Sequence, residues 1–516
     1  MKRLSLRRVR MPLTTNWKIF RAATVVGLLS LVVKLSSTGR ELIVAGQFGR
    51  RDAVDAFLIA FLLPTFVVGL VGGSFSVALI PTFVQVREAQ GREAAERLLS
   101  GVTFYSVVLL FAISVLLALL APYYLPLLGS GFGPAKLVLT RRLLYVLLPY
   151  VLLSGLAVIW SAVLNADEHF ALPSVLPVLE PVAAILFLIL GARRWGIFAL
   201  ALGTVVGQAV ESVVLAGVLV KKGMRLMPAW HSMDPGALEV IRQFLPLTGV
   251  AFLVSGNQLV DTSMAAVLAP GSVSALNYGS KLANVVSSVS SMELGTAALP
   301  YFSAAVARKD YESLSHSLDT YGIIMLWVGT VVTTFLCLFS RPLTALLFQR
   351  GAFTASDTAV VARVMALYSL GVTWYMIETL PARCVSSFGL NRVAARLALV
   401  AFFVNVALDL VFMRFMGVAG IALSTTVVRL VVVGGLLFIL HWYKGIGVAR
   451  RSLTHLVLVL VAVTGSLVVV EKYPDQPFVR WSAWSVVTLL AFWLLSRRFS
   501  YRRMFSSLLG DWRLRP

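Results

Sequence analysis

The sequence predicts an all-α polytopic membrane protein with about fourteen transmembrane helices, and three features support this fold class. Of its 516 residues, 59% are hydrophobic and only 13% are charged, whereas soluble domains average about 45–50% and about 25%. The mean hydropathy is +0.87. The apolar residues form runs of roughly 20 or more, the length of a membrane-spanning helix, instead of the alternation of an outer-membrane barrel. Soluble enzymes, secreted domains and barrels are therefore excluded.

About fourteen apolar stretches follow one another along the chain, separated by short polar connections. They lie near residues 19–47, 53–86, 96–121, 138–164, 170–191, 196–220, 237–267, 272–306, 316–348, 356–386, 391–414, 417–442, 452–471 and 478–496. No segment between them is long enough for a soluble domain of ordinary size. Any function must therefore take place inside the membrane or at its two faces.

The formal net charge of +22 comes from basic residues spread between the apolar stretches, not from a single patch. This spread favours the positive-inside rule over a nucleic-acid site. With the amino terminus placed in the cytoplasm, the cytoplasmic segments hold about 26 Lys and Arg and the opposite side about 12. Both termini are therefore predicted to be cytoplasmic, which requires an even number of spans. The first apolar stretch contains Lys34 and Arg40, so it is predicted to be an uncleaved helix and not a signal peptide.

Three short motifs recur about 220 residues further along the chain, which indicates an internal duplication. The matching pairs are 78–83 with 297–302, 122–132 with 342–353, and 201–206 with 423–428. Each copy holds an even number of spans, so the two copies are predicted to run in the same direction through the membrane. Two parallel lobes around a central cavity suit alternating access, in which one lobe rocks against the other.

The predicted organisation is a basic cytoplasmic tail, an N-lobe of six spans, a cytoplasmic linker, a C-lobe of six spans, two further helices and a second basic cytoplasmic tail. These parts occupy, in order, residues 1–18, 19–220, 221–236, 237–442, 452–496 and 497–516.

Charged side chains within a span cost several kcal/mol and usually face a cavity or a partner. The candidates are Lys34, Arg40, Glu41, Asp55, Glu180, Glu211, Asp261, Lys281, Glu293, Glu378, Asp409 and Arg429. Lys34, Arg40 and Lys281 come from both lobes, and three cations at a lobe interface predict an anionic substrate such as a phosphate. Some of these charges could instead pair with one another and pin helices together, for example Arg40 with Asp55.

Several helix-breaking residues lie within the predicted spans, and we interpret them as candidate hinges. They are Gly39, which follows the run Ser36-Ser37-Thr38, then Pro64, Gly72, Gly73, Pro81 and Pro300. The alternative interpretation is ordinary close packing, because Gly and Pro are frequent in membrane helices.

No motif for hydrolytic or ATP-driven chemistry is present, and no cofactor is indicated. Cys337 and Cys384 both lie in apolar stretches and have neither metal-site nor disulfide-framework spacing. The chain is therefore predicted to be a transporter, not an enzyme. The predicted driving force is therefore Na⁺ or the membrane potential. The potential is sufficient in principle, because an anion that leaves a negative cytoplasm gains about 2.3 kcal/mol per charge per 100 mV.

Several motifs resemble the MviN/MurJ-type flippases of the multidrug/oligosaccharidyl-lipid/polysaccharide exporter superfamily. The clearest is 341–357, with the sequence RPLTALLFQRGAFTASD. The others are 55–64, 73–81, 164–177, 196–203 and 417–422. The matches extend from the end of the first span to the twelfth, and their combination is specific to the family.

This resemblance implies fourteen helices and transport of undecaprenyl-pyrophosphate-linked saccharides, typically the peptidoglycan precursor lipid II, across the bacterial inner membrane. The last two helices are implied to form a groove for the lipid tail. The family's cationic cavity positions fall on Lys34, Arg40 and Lys281, with Asp55 as the acidic member. Glu180 and Asn284 stand at cavity positions where the family usually has other residues. The implied partners are the lipid-linked saccharide and the bilayer, with envelope-synthesis proteins as further candidates and no nucleic acid.

The chain also departs from the family at Thr65, Gly72 and Ser280. These changes leave open a flippase for an exopolysaccharide or another envelope glycan. A drug/Na⁺ antiporter of the same superfamily would need a more acidic cavity. A membrane glycosyl- or phosphotransferase would show clustered Asp residues in a loop for Mg²⁺. A scaffold that does not transport is the remaining alternative.

Overall fold

A computed structural model describes residues 13–224, 235–446, 450–472 and 476–498, and these ranges contain helices and no strand. The α-helices are, in order, α1 Leu13–Phe48, α2 Asp52–Gln90, α3 Arg92–Leu128, α4 Pro134–Ala166, α5 Ala171–Val175, α6 Leu179–Trp195, α7 Phe198–Lys221, α8 Pro235–Val267, α9 Ser272–Ala307, α10 Tyr311–Leu338, α11 Ser340–Phe348, α12 Ala355–Ser387, α13 Asn391–Met416, α14 Val418–Lys444, α15 Arg450–Lys472 and α16 Pro477–Arg498. Most of the two predicted tails and of the predicted linker lies outside the described residues.

The described helices confirm the predicted fold class, because ten segments are long and apolar enough to cross a membrane. Each apolar stretch of the sequence coincides with one helix or with two consecutive helices. The exact number of fourteen crossings stays a prediction.

Two of the predicted spans are interrupted near prolines. The stretch 170–191 is divided into α5 and α6 by a 3₁₀ turn over Leu176–Val178, which contains Pro177. The stretch 316–348 is divided at Phe339 into α10 and α11. Pro342 has no N–H to donate to the carbonyl of Leu338, and its ring would collide with that carbonyl in a continuous helix.

Other prolines and glycines do not interrupt their helices, contrary to the expectation that they break the spans. The helix α2 runs through Pro64, Gly72, Gly73 and Pro81, and α9 runs through Pro300. Next to Pro64, the hydroxyl of Thr65 donates to the carbonyls of Phe61 and Leu62, each at 2.9 Å. This hydroxyl adds side-chain hydrogen bonds in the turn that contains Pro64, although the carbonyl that loses its backbone donor at Pro64 is that of Ala60. The surroundings of Gly73 and Pro300 are not described, and flexing at these helices stays a prediction.

The first seven helices and the next seven repeat one packing pattern. In the N-lobe (α1–α7), α4 packs on α2, α3 and α7, and α6 packs on α7. In the C-lobe (α8–α14), α12 packs on α9, α10 and α14, and α13 packs on α14. The turns that lead into α7 and α14 use Gly196 and Gly417, with φ of 55° and 58°, values that favour glycine. The structure thus repeats the duplication predicted from the sequence.

The last two helices pack on the C-lobe through α10. Trp327 of α10 is fully buried, and its indole donates to Nδ1 of His455 in α15 at 3.1 Å. In α16, the indole of Trp484 donates to the carbonyl of Val331 at 3.1 Å, and Trp481 packs on Phe339 with ring centroids 4.5 Å apart. The pair α15–α16 therefore forms an appendage outside the duplicated lobes.

Candidate functional site

The two lobes meet at the end of the molecule where α1 and α8 finish and α2 and α9 begin. Gly131, before α4, lies against the backbone of Ala266 in α8. Gly351, before α12, lies against the carbonyl of Gly46 in α1 in the equivalent way. The N–H of Ala352 donates to the same carbonyl at 2.8 Å. We call this region, residues 46–55, 129–136, 266–274 and 350–357, the closed end.

Asp55 lies at the closed end and joins the lobes. Its carboxylate is 1% exposed and accepts the backbone N–H groups of Gly271 and Ser274, at 2.7 Å and 2.8 Å. These groups lie at the amino-terminal end of α9, where the helix dipole favours a negative charge. The ammonium of Lys136 adds an ion pair at 2.9 Å. Arg50 forms a second tie between the lobes, at 3.1 Å from Asp357.

The central group of charges lies where α1 packs between α6 and α9. The Arg40 guanidinium pairs with Glu180 at 2.5 Å and with Glu41 at 3.0 Å. Glu41 also accepts from Lys281 at 3.2 Å and from the amide of Asn277 at 3.0 Å. These five residues form what we call the charge network. Its two cations and two carboxylates balance, and Glu41 links the N-lobe to the C-lobe.

The structure therefore brings together three predicted site residues, Arg40, Glu180 and Lys281, while Asp55 lies apart at the closed end. The suggested pair of Arg40 with Asp55 is replaced by pairs with Glu41 and Glu180. Sequence reasoning missed the bridging role of Glu41 and the part of Asn277. The spacing of Asn277 and Lys281, four residues apart on one helix face, was the available signal. Whether these residues bind substrate stays a prediction.

Lys34 and Asn284 lie further from the closed end than the charge network. Lys34 is two helical turns before Glu41 on the same face of α1, about 10 Å away along the axis. Its side chain is half-buried, and within the described ranges no carboxylate lies within salt-bridge distance of it. Asn284 is exposed and lies one turn after Lys281. Since α1 and α9 run in opposite directions, both residues lie on the side of the charge network away from the closed end, Asn284 about 5 Å and Lys34 about 10 Å from it along the helix axes.

Close packing of α6 on α7 positions Glu180. A Cβ atom at Gly207 of α7 would overlap the backbone of Glu180, so only glycine permits this approach. Next to it in α7, the amide of Gln208 donates to the carboxylate of Glu211 at 3.2 Å. Glu211 is 6% exposed. A second acidic group therefore lies behind the charge network inside the N-lobe.

The candidate hinge glycines differ in their surroundings. A Cβ atom at Gly72 would lie 3.1 Å from the side chain of Val158 in α4, so this glycine allows close helix packing. A Cβ atom at Gly39 would meet nothing within 4 Å. Hinge roles for both stay predictions.

The C-lobe contains two adjoining buried carboxylates, Asp261 of α8 and Asp409 of α13. They are 7% and 0% exposed. The amide of Asn405 donates to both, at 2.7 Å and 3.0 Å, and the hydroxyls of Thr425 and Ser424 donate to Asp261 and Asp409 respectively. Two such charges cannot both persist in a low dielectric without a proton or a cation. In the described ranges no group of three or more His, Cys, Asp or Glu side chains could hold a metal ion.

The opposite end of the N-lobe is tied by a surface ion-pair cluster around Asp167. Asp167 pairs with Lys222 at 2.9 Å and with Arg87 at 2.7 Å. The hydrogen bond and the charge of Lys222, with the charge of Arg87, lower the pKa of Asp167 below its ordinary value. These ion pairs join helices within one lobe, whereas the ties at the closed end join the two lobes.

Comparison with known proteins gives one consistent family. The family model described as lipid II flippase MurJ matches residues 44–492. The lipid II flippase MurJ of Burkholderia cenocepacia is 28% identical over 419 residues, covering 79% of this chain and 80% of that protein. The probable lipid II flippase MurJ of a Synechocystis species is 28% identical over 426 residues, covering 79% of each chain.

Two solved structures share the fold. A lipid II flippase MurJ in an inward closed conformation has a TM-score of 0.78 and 20% identity, covering 93% of this chain and 100% of that one. A multidrug resistance MATE family transporter of the MOP superfamily, in an inward-facing conformation, has a TM-score of 0.67 and 14% identity. It covers 82% of this chain and 98% of its own.

Proposed function

We infer that this chain, which belongs to the lipid II flippase MurJ family, moves lipid II from the inner to the outer leaflet for peptidoglycan synthesis. It is a multi-pass membrane transporter and not an enzyme. The structural observation that best supports this function is the meeting of Arg40 and Lys281, one cation from each lobe, on Glu41. Such a site can hold an anionic head group between two parts that move against each other.

We propose that the diphosphate of the substrate replaces the two carboxylates of the charge network. Arg40 offers several donors in a planar fork, while Lys281 and Lys34 act as point charges. The charges of Arg40 and Lys281 are already balanced by Glu41 and Glu180, so Lys34 supplies the net positive charge that attracts the substrate. When the diphosphate binds, it takes the place of Glu41 between Arg40 and Lys281, so the tie between the two lobes at this level passes through the substrate.

Access to the charge network is proposed to alternate between the two membrane faces. With the amino terminus in the cytoplasm, α1 enters from that side, and the closed end faces away from the cytoplasm. Among the described residues, α2 packs extensively on α8, whereas the equivalent pair, α9 and α1, makes less contact. We therefore place the entry path of the head group beside α1 and α9. Opening the other face requires that the ties of Asp55 and Arg50 break.

Two sources of energy fit the proposal, the membrane potential and Na⁺. Two diphosphate charges that leave a negative cytoplasm gain roughly 4–5 kcal/mol per 100 mV. Alternatively, Asp261 and Asp409, with Asn405 and Thr425, offer a set of oxygen ligands that suits a monovalent cation. The bacterial inner membrane as the location, cytoplasmic termini, the undecaprenyl carrier and envelope-synthesis partners belong to the same proposal.

The experiment that tests the function is depletion of the protein followed by profiling of polyprenyl-linked lipids. Accumulation of lipid II together with lysis is expected. Normal lipid II with a build-up of another polyprenyl-linked glycan would identify an exopolysaccharide-type flippase, and the departures at Gly72 and Asn284 would then mark its specificity. The family match does not favour the drug antiporter, with which the solved MATE structures share only the fold.

A further inference from the structure

The C-lobe contains an ion pair that the proposed mechanism does not use, between Arg429 of α14 and Glu378 of α12. The guanidinium lies 3.2 Å from the carboxylate and 4.5 Å from the ring centre of Tyr375. The two side chains are 35% and 26% exposed. Arg429 lies eleven residues into α14, about 16 Å along the axis, which is near the middle of a hydrocarbon core of about 30 Å.

At this depth in the membrane, the exposed parts of the pair are expected to face an aqueous cavity and not lipid. A charged pair exposed to lipid at the centre of the bilayer would be costly, so such groups face aqueous cavities or partners. Thr425 lies one turn before Arg429 on the same face of α14, and its hydroxyl donates to Asp261 of α8 at 3.2 Å. The helix α8 packs against α2 of the N-lobe. Arg429 therefore lies on the side of the C-lobe that is turned towards the N-lobe and the substrate cavity.

The geometry leaves the guanidinium partly available to a ligand. One of its nitrogens contacts Glu378, and the ring of Tyr375 fixes the plane of the group. A guanidinium carries five N–H donors in a fork that matches a carboxylate, so further donors remain for the cavity. The guanidinium already binds one carboxylate, that of Glu378, so a carboxylate of a ligand is a suitable partner. Because the pair is neutral as a whole, it favours exchange of one carboxylate for another over attraction of a polyanion.

We propose that Arg429 binds a carboxylate of the substrate head group, which takes the place of Glu378 while Tyr375 keeps the guanidinium oriented. The proposal rests on the proposed function, in which the diphosphate occupies the charge network formed around α1. Lipid II carries such carboxylates on the peptide attached to its sugars. An acidic sugar in another lipid-linked glycan would present the same chemistry. Arg429 thus binds the head group at a second position, remote from the diphosphate.

The test is a flipping assay with the full chain in proteoliposomes and three lipids that differ in their carboxylates. The first is lipid II, the second is lipid II with its peptide carboxylates amidated, and the third is the lipid-linked disaccharide that lacks the peptide and keeps a free sugar carboxylate. The variants are Arg429→Gln and Glu378→Gln. The control is Arg414→Gln, which changes an exposed arginine in the last turn of α13.

We expect Arg429→Gln to slow flipping of lipid II about tenfold. Flipping of the amidated lipid should change by less than twofold, because that lipid has no peptide carboxylate to form a charge-assisted pair with Arg429. Glu378→Gln removes the carboxylate that competes with the substrate for the guanidinium, so it should speed flipping of lipid II. A similar loss with the peptide-free disaccharide lipid would also support the proposal, because the sugar carboxylate, which is bonded to the peptide in lipid II, is free in that lipid and can take the same position.

Equal losses on lipid II and its amidated form, or equal losses in the two Gln variants, would show a pair that only pins α12 to α14 and would overturn the proposal. No loss in Arg429→Gln would overturn it as well. If the unsubstituted protein moved none of the three lipids, the proposed function itself would fail, which is a separate and recognisable result.

Discussion

Arg40 lies between two carboxylates, and only 13% of its side chain is exposed. Single and double replacements at this pair can therefore separate an effect on stability from an effect on flipping. In Arg40→Gln, Glu180 loses its cation, and the loss of one partner of a buried pair costs about 3–5 kcal/mol. We expect a lower thermal midpoint in detergent and no flipping of lipid II. In the double variant Arg40→Gln/Glu180→Gln both charges are gone, so the midpoint should recover while flipping stays absent.

Glu180→Gln alone is the matched control for this pair, because it keeps Arg40 on Glu41 and should retain flipping. Full flipping in the thermally restored double variant would contradict a role for Arg40 in substrate binding.

The ion pairs of Asp167, at the end of the N-lobe opposite the closed end, make the thermal stability of the protein depend on pH. Its pKa is lowered by Lys222 and Arg87, so its pairs stabilise the folded state above the unfolded value of about 3.9 and lose this effect as the pH falls through the lowered pKa. The thermal midpoint of the unsubstituted protein should therefore exceed that of Asp167→Asn at pH 7, and the difference should shrink below about pH 4. Lys222→Gln should reduce the difference. A constant gap across this pH range would show that the ion pairs do not cause it.

At the residue scale, the sequence identified the cations of the site but not their partners. A lysine or arginine within an apolar run is visible because each such charge is costly in the membrane. The pairs are not visible, since Arg40 meets Glu180 across 140 positions and Glu41 meets Lys281 across 240. Only the packing of α1 between α6 and α9 decides them.

At the scale of elements, the positions of the helices followed from the apolar runs because a span must satisfy all its backbone groups internally. Which prolines interrupt a helix did not follow. Pro177 and Pro342 lie at interruptions, whereas α2 continues through Pro64, beside which the hydroxyl of Thr65 bonds to nearby carbonyls. A single sequence shows each proline in the same way, so only the folded structure separates those at interruptions from those within continuous helices.

The glycine at the closed end gives an element-scale prediction. A Cβ atom at Gly131 would overlap the backbone of Ala266 and Val267 in the other lobe. Gly131→Ala should therefore disfavour the closed arrangement and shift the protein towards conformations open at that end. Gly133→Ala, two residues away with nothing within 4 Å of its Cβ position, is the matched control.

The shift can be measured with a cysteine at buried Ser274, in a chain whose own Cys337 and Cys384 are buried. Maleimide should label Ser274→Cys several times faster with Gly131→Ala than with Gly133→Ala. Equal labelling in the two backgrounds would show that the contact does not hold this end closed.

At the scale of the whole molecule, the two lobes repeat one packing pattern, yet their polar interiors differ. The N-lobe carries Arg40 and Glu180, at the proposed anion position, while the C-lobe carries the acid pair Asp261 and Asp409, the proposed position of a proton or a cation. A carrier with an anion position in one lobe and an acidic pair in the other can be driven by the potential, by the ion, or by both. The source of energy therefore has to be decided by measurement.

Vesicles with a fixed diffusion potential and no Na⁺ separate the two sources. If two substrate charges cross the field, 100 mV is worth roughly 4–5 kcal/mol, so reversing the sign of the potential should reverse the preferred direction of flipping. If Na⁺ drives transport, flipping should require a Na⁺ gradient, and Asp261→Asn should abolish that requirement together with most of the transport. Lys34→Gln serves as the comparison, because it removes a charge proposed to attract substrate and leaves the acid pair intact. Lys34→Gln should slow flipping at every potential, while the preferred direction of flipping should still reverse when the sign of the potential is reversed. A direction of flipping that follows neither the potential nor the Na⁺ gradient would contradict both proposals for the driving force.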